Sequence, residues 1–308
     1  MIVVAGEALI DLVPETPGRL AALSPRLGGG PYNTAVALGR LGSSVSFCSR
    51  VSQDAFGEAL LDGLRAAAVD VSCVQRGPEP TTLAVASLDA DGSAGYSFYV
   101  GGTADRLFAA PAALPEGTRA ISFGTCSLVL EPGASAYEKL LRSAAEQGVF
   151  TALDPNIRTG LITDADAYRA RFRSWLPFTG LLKLSEEDAD WLGGDPGEWL
   201  ATGPAAVVLT RGGDGLTVLT RNGEWSVPGE QVTVVDTIGA GDTVNAALLH
   251  RLDAHGALSV DAAGALGEAV WRDVLGYAAR AAAITCSRAG AQPPLASEVA
   301  AGPAQAGV

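Results

Sequence analysis

No apolar run in this 308-residue chain reaches the ~18 residues needed to cross a bilayer, which excludes a helical membrane span. Basic residues are scarce: 21 Lys and Arg stand against 34 Asp and Glu, a net charge of −13. That balance excludes nucleic acid and anionic membrane as partners, because both need a basic face that displaces counterions. Any phosphate must therefore be held locally. Cysteine is sparse too, with Cys48, Cys73, Cys126 and Cys286 far apart and no C-x-x-C pair. Neither a zinc site nor a disulfide framework is indicated, and reduced thiols in the cytoplasm are expected. Both familiar nucleotide loops are missing, since G-x-x-x-x-G-K-[ST] does not occur and G-x-G-x-x-G is not completed. The opening MIVVAGEALIDLVPE has no basic n-region and carries Glu7 and Asp11, so it reads as a first buried strand rather than a secretory leader.

What remains is ordinary globular material, 48% hydrophobic and 18% charged, enough to bury a substantial core. Short apolar runs alternate with helical patterns, the arrangement of βαβ units on a mostly parallel sheet. Strands are expected at 2–5, 44–48, 120–123, 149–153, 180–183, 205–210 and 216–220. Helices are expected at 33–41, 56–67, 134–147, 165–175, 186–191, 243–250 and 270–286. A single domain spanning 1–308 is expected. One region departs from the pattern: TTLAVASLDADGSAGYSFYV, 81–100, reads as two extended runs around an Asp91-Gly92 turn. With a segment near 8–27 these runs can form a small antiparallel sheet outside the core, a lid that keeps water from the chemistry. An ordinary hairpin in the main sheet fits the same residues. There is no internal repeat, and the Ala/Gly/Pro-rich tail after Pro293 reads as frayed.

Two glycine-rich stretches carry candidate chemistry. GGGPYNTAVALGRLG, 28–42, places Asn33 at a helix start after three glycines. Bare backbone there admits a small polar ligand, and Asn33 offers both donor and acceptor to a hydroxyl, although a capping asparagine fits the same pattern. DTIGAGDTVNAALL, 236–249, places Asp242 at another helix start. It is either a cap that suits the helix dipole or a base facing an anion held by the bare backbone before it.

Together these stretches resemble the two signatures of the ribokinase-like (pfkB) carbohydrate kinases. LDPNIR (153–158), KLSEEDADWL (183–192), TRGGDG (210–215) and YAARAAAITCSRAGAQPP near the end extend the resemblance over nearly the whole chain. GEALIDLVP, FYVGGTADRLF and FGTCSLVLEP look most like bacterial fructokinases. The resemblance implies a ribokinase-like three-layer α/β fold, its mostly parallel sheet flanked by helices, with lid strands drawn from about 8–27 and 81–102. It implies Asp242 as catalytic base and Gly239, Ala240 and Gly241 as an anion hole for the transferring phosphoryl group. It points to Asp11, Gly28, Gly29, Asn33 and Arg158 for the sugar, and to Lys183, Ser185, Thr210, Gly212 and Gly215 for ATP.

Where many members carry N-x-x-E for the water around Mg²⁺, this chain has Ser185-Glu186-Glu187-Asp188, which makes Asp188 and Glu186 the metal-water candidates. Backbone near Asp236 and Ile238, with the 287–290 turn, resembles a potassium site. The implied reaction is ATP- and Mg²⁺-dependent phosphorylation of a sugar, fructose to fructose 6-phosphate; exposed strand edges on the lid are expected to pair two copies into a homodimer. The alternatives are a 2-keto-3-deoxygluconate kinase, a ribokinase or nucleoside kinase, and a catalytically silent sugar- or nucleotide-binding regulator. The sugar-acid kinases resemble a Y-Y-R lid pattern suited to a carboxylate; Phe98-Tyr99-Val100 stands here instead, which favours a neutral ketose.

Overall fold

The structure, a computed structural model, describes residues 1–16, 18, 20–88 and 94–301. Its main sheet has nine strands: β1 (Ile2–Ala5), β4 (Val45–Ser52), β5 (Val74–Gly77), β8 (Ala120–Gly124), β9 (Phe150–Asp154), β10 (Leu181–Ser185), β11 (Ala206–Thr210), β12 (Leu216–Thr220) and β13 (Gly223–Val227). They lie in the order β13-β12-β11-β10-β9-β8-β1-β4-β5. From β5 to β11 every pairing is parallel, and β12 and β13 close one edge antiparallel. Strands β1, β8 and β9 are buried at every residue, as expected of parallel strands covered on both faces.

Alternation along β1 shows the layering. Ile2 and Val4 join a core with helices α1 (Gly30–Arg40), α2 (Ala55–Ala66), α7 (Ala240–Ala254) and α9 (Glu268–Cys286). Val3 and Ala5 join a second core with α3 (Gly133–Glu146), α4 (Ala165–Trp175) and α6 (Pro196–Thr202). The chain is thus helix on sheet on helix, with period-2 strands serving both cores. Helix α7 is buried on nearly every side and runs through the middle of its layer.

A second sheet of four strands stands apart: β3 (Leu23–Gly28), β2 (Leu9–Pro14), β6 (Leu83–Leu88) and β7 (Ala94–Tyr99), in that order. Its outer pairs run antiparallel, while β2 and β6 meet in parallel. The Asp91-Gly92 turn lies outside the described residues. The β6–β7 hairpin is tied down at its base: Asp54 caps α2 and also accepts from Thr81 N–H (2.9 Å), and Thr82 donates to buried Asp105 (2.6 Å).

Several elements differ from expectation. Helix α1 begins at Gly30, not at 33, because Pro31 is preorganised for a first helical turn and Gly29 at φ 106° makes the entry. Asn33 therefore caps nothing. Helix α7 begins at Ala240 behind Gly239 at φ 76°, so Asp242 lies inside the first turn and makes no cap bond. The tail is not frayed throughout, since Ala296–Ala301 form a helix, α10, whose Val299 is buried in the core.

Candidate active site

Parallel sheets bind ligands beyond the carboxyl ends of their strands, and here those ends are crowded with polar groups. Gly6 and Glu7 follow β1, Asp154 ends β9, and Ser185 and Thr210 end β10 and β11 in direct register. Above them a cavity of about 440 Å³ is walled by Asp11, Gly29, Asn33, Arg158, Gly239, Gly241 and Asp242, with Tyr96 and Phe98 reaching in from lid strand β7. The two rings stack at 6.1 Å.

Asp242 is the centre of this arrangement. It is 7% exposed, and its Oδ2 accepts from Asn33 Nδ2 at 2.9 Å. A Cβ on Gly30 would lie 3.3 Å from its Oδ1, so glycine keeps the approach to that oxygen open. Burial pushes the carboxyl up to about 6, the Asn33 bond opposes the rise, Asp154 adds to it, and Lys183 and Arg158 pull it down. Among the described residues, the amides of Gly241 and Asp242 have no protein acceptor, whereas Ala240 N–H donates to Thr237 O at 3.2 Å. Two free donors on a helix's first turn form an end suited to an anion, with a carboxylate next to it.

Of the residues expected on the sugar side, Asp11, Gly29, Asn33 and Arg158 line this cavity and Gly28 lies beside Asp11. Asp11 lies over Gly28, where an added Cβ would stand only 2.0 Å from its Oδ2. Burial raises its carboxyl to about 6, and the Arg158 charge opposes this. A Cβ on Gly29 would meet the Glu7 carbonyl at 2.9 Å. Arg158 folds onto its own loop, donating from Nη1 to Asn156 Oδ1 at 2.7 Å and to the carbonyls of Asn156 and Ile157. Thr125 (φ 60°) and Asn156 (φ 41°) both line the cavity in left-handed backbone conformations and touch through a 3.3 Å hydrogen bond. Such strain persists where surrounding structure enforces it. The sequence reading did not single them out; their signal was membership in FGTCS and LDPN.

The residues proposed for the nucleotide lie apart from that cavity. Thr210, Gly212 and Gly215 form the turn after β11, with Gly215 at φ 100°, and Ser185 faces Thr210 across the strand pair. Lys183 is different: 4% exposed, it pairs with buried Asp154 at 2.9 Å, and its Nζ lies 3.1 Å from where a Cβ on Gly241 would be. Burial pushes Asp154 up, while the Lys183 ammonium holds it down. Asp154 too had not been singled out.

Asp188 is engaged in a reciprocal capping box with Ser185 and also accepts from Ile157 N–H at 2.9 Å. Glu186 pairs with Arg211 at 2.7 Å. Asp236 spends both carboxylate oxygens on backbone, Oδ1 on Ile238 N–H (3.0 Å) and Oδ2 on Gly290 N–H (2.8 Å), which brings the expected cation loop and the 287–290 turn together.

A buried carboxylate beside free amides at the glycine-led head of a helix suits a phosphotransferase that acts on a hydroxyl. Comparison with known proteins narrows this. The chain belongs to the pfkB family of carbohydrate kinases, whose model matches residues 1–298. It is 40% identical to a fructokinase of Rhizobium leguminosarum bv. trifolii over 283 residues, 89% of this chain and 86% of that protein. Its fold matches a fructokinase with bound ATP from Xylella fastidiosa at a TM-score of 0.88 and 27% identity, covering 97% of each chain. A double mutant of Vibrio cholerae O395 fructokinase, bound to fructose, ADP and potassium ion, matches at 0.83 and 26% identity, again over 97% of each.

Proposed function

We propose that this carbohydrate kinase transfers the γ-phosphoryl group of ATP to fructose, forming fructose 6-phosphate. The observation that carries the reading is Asp242, buried at the head of α7 with one oxygen held by Asn33 and the other beside the cavity that gathers Asp11, Asn33 and Arg158. Asp11 accepts and Asn33 both donates and accepts, a pair suited to adjacent sugar hydroxyls. Asp242 then takes the proton of the attacking hydroxyl. A proton affinity near neutrality suits that task, since a general base works best when matched to the operating pH. The Gly241 and Asp242 amides, with Gly239 shaping the turn, stabilise charge on the transferring group, which in a loose transition state is most of the catalysis. The lid rings of Tyr96 and Phe98 exclude water.

The nucleotide lies along Ser185, Thr210, Gly212 and Gly215, with Lys183 beneath the anion hole. Mg²⁺ fits as a metal carried on the phosphates, because it keeps waters and needs only one or two carboxylates, and no cluster of three or more His, Cys, Asp or Glu is found among the described residues. Asp188 and Glu186 are the acids we assign to its water shell; the ion neutralises phosphate charge. Carbonyls around Asp236 and Ile238 are assigned to a potassium ion, supported by their approach to the 287–290 turn. Four free cysteines support a cytoplasmic setting. Exposed Leu23, Leu27 and Tyr99 on the edge strands of the lid support a homodimer through that sheet. A sugar acid is disfavoured, since Asp11 shares the cavity and Arg158 directs Nη1 to its own loop.

The test is ADP release from Mg-ATP with fructose, 2-keto-3-deoxygluconate, ribose and adenosine, with Asp242→Ala as control. Fructose-dependent turnover lost in the variant supports the reading; preference for another acceptor, or silence on all four, rejects fructose as the substrate.

A further inference from the structure

One turn below Asp242, Asn245 is 3% exposed and donates from Nδ2 to Ser122 Oγ on β8 at 3.0 Å. Among the described residues its Oδ1 has no partner. Asp154, 4% exposed on β9, gives Oδ2 to Lys183 and leaves its own Oδ1 without a partner among them. Asn245, Asp154, Ser122, Thr34 and Asp242 all line one small space of about 10 Å³ beneath the base. That is about the size that accepts a single water. Two buried acceptors around one space are costly unless a donor reaches both. With the amide in this orientation neither can serve the other, since an amide oxygen and a carboxylate oxygen both only accept.

A water closes the account. Its two O–H groups satisfy Asp154 Oδ1 and Asn245 Oδ1, and Ser122, whose oxygen already accepts from Asn245, turns its own proton to the water. Three bonds is the usual complement of a buried water. We propose that an internal water is bound behind the catalytic base, and that Asn245 and Ser122 are positioning residues which use it to hold the Asp154–Lys183 pair beneath the Gly241 and Asp242 amides. Lys183 Nζ lies 3.1 Å from where a Cβ on Gly241 would be, so movement of Asp154 carries a positive charge away from the place where phosphoryl charge develops. The consequence falls on kcat rather than on substrate affinity, because neither Asn245 nor Ser122 lines the sugar cavity. The kinetic consequence rests on the proposed kinase reaction; the water itself does not.

The first test is a crystal structure of the intact protein at a resolution that places ordered waters. A peak within hydrogen-bond reach of Asp154 Oδ1, Asn245 Oδ1 and Ser122 Oγ supports the proposal. An empty space overturns it, as does direct contact between the two side chains, whether through a protonated Asp154 or through an Asn245 amide turned so that Nδ2 donates to Asp154. The second test compares Asn245→Leu and the gentler Ser122→Ala with the unaltered enzyme. A ~10- to 100-fold fall in kcat, the scale of a misplaced catalytic group, with KM for sugar and Mg-ATP within about twofold, is expected. A lower Tm with unchanged kcat would leave the two residues merely structural and overturn the positioning role. Should the unaltered protein phosphorylate none of the sugars offered, the kinase reading fails while the crystallographic arm still decides the water.

Discussion

Replacing Asp242 by asparagine separates what this site gives to catalysis from what it takes from stability. In the folded protein its carboxyl is carried from 3.8 to about 6 by burial, worth about 3 kcal/mol at 1.36 kcal/mol per pH unit. The sign follows from proton binding: between about pH 4 and pH 6 the folded state holds a proton that the unfolded chain has released, so stability falls as pH rises and the full cost is present above pH 6. An asparagine stays neutral and accepts the Asn33 bond as before. Asp242→Asn is therefore expected to match the parent at pH 4 and to exceed it by up to ~3 kcal/mol at pH 8, while kcat falls ~10²–10⁴-fold. Glu7 and Asp11 are also raised by burial, to about 7 and about 6, but they are common to both proteins and cancel in the difference. Urea unfolding of both proteins at pH 4.5 and pH 8 measures it. No gain at pH 8, or an equal gain at both pH values, refutes the argument that Asp242 is held against its own desolvation. In the parent enzyme the same protonation sets an acid limb, with kcat/KM falling as pH drops through about 6.

Asn33→Leu removes the donor that favours the ionised base, so the acid limb should move to higher pH and the sugar KM should rise ~10-fold or more; an unmoved limb in the pH–rate profile would contradict the role of the 2.9 Å bond. Gly239→Ala places a Cβ 2.6 Å from Ala291 Cβ at φ 76°, and is expected to lose ~1–2 kcal/mol of stability and most of kcat, read by thermal melts and turnover. Asp188→Ala removes one side of the capping box and the acceptor of Ile157 N–H. A loss of ~1 kcal/mol with a raised sugar KM and an unchanged Mg²⁺ requirement would make it a loop anchor, while a steeper Mg²⁺ requirement would place it in the metal's water shell.

Central strands β1, β8, β9, β10, β11 and β12 were legible because strands buried on both faces need mainly apolar runs, and such runs stand in the sequence, interrupted inside only by single residues such as Ser122, Thr151, Lys183 and Thr217. Strands β5 (VQRG) and β13 (GEWSV) carry arginine or glycine and bury almost nothing, and only their partners make them strands. The start of α1 was misplaced by the same kind of ambiguity, since Pro31 reads equally as a loop residue and as a first helical residue. At the site, the sequence by itself determined the chemical inventory: a carboxylate behind bare glycine backbone, an amide and an acid for hydroxyls, and the motifs that carry the family. It was silent on which of these groups are already engaged. Asp188 is committed to a cap, Lys183 to Asp154, and Asp242 to Asn33 more than 200 positions away. Pairing and burial of this kind arise from strand register and from the packing of α7 against α1, long-range facts that no local pattern encodes. The tertiary structure alone decided that Asp242 is a desolvated carboxylate with a raised proton affinity rather than a helix cap.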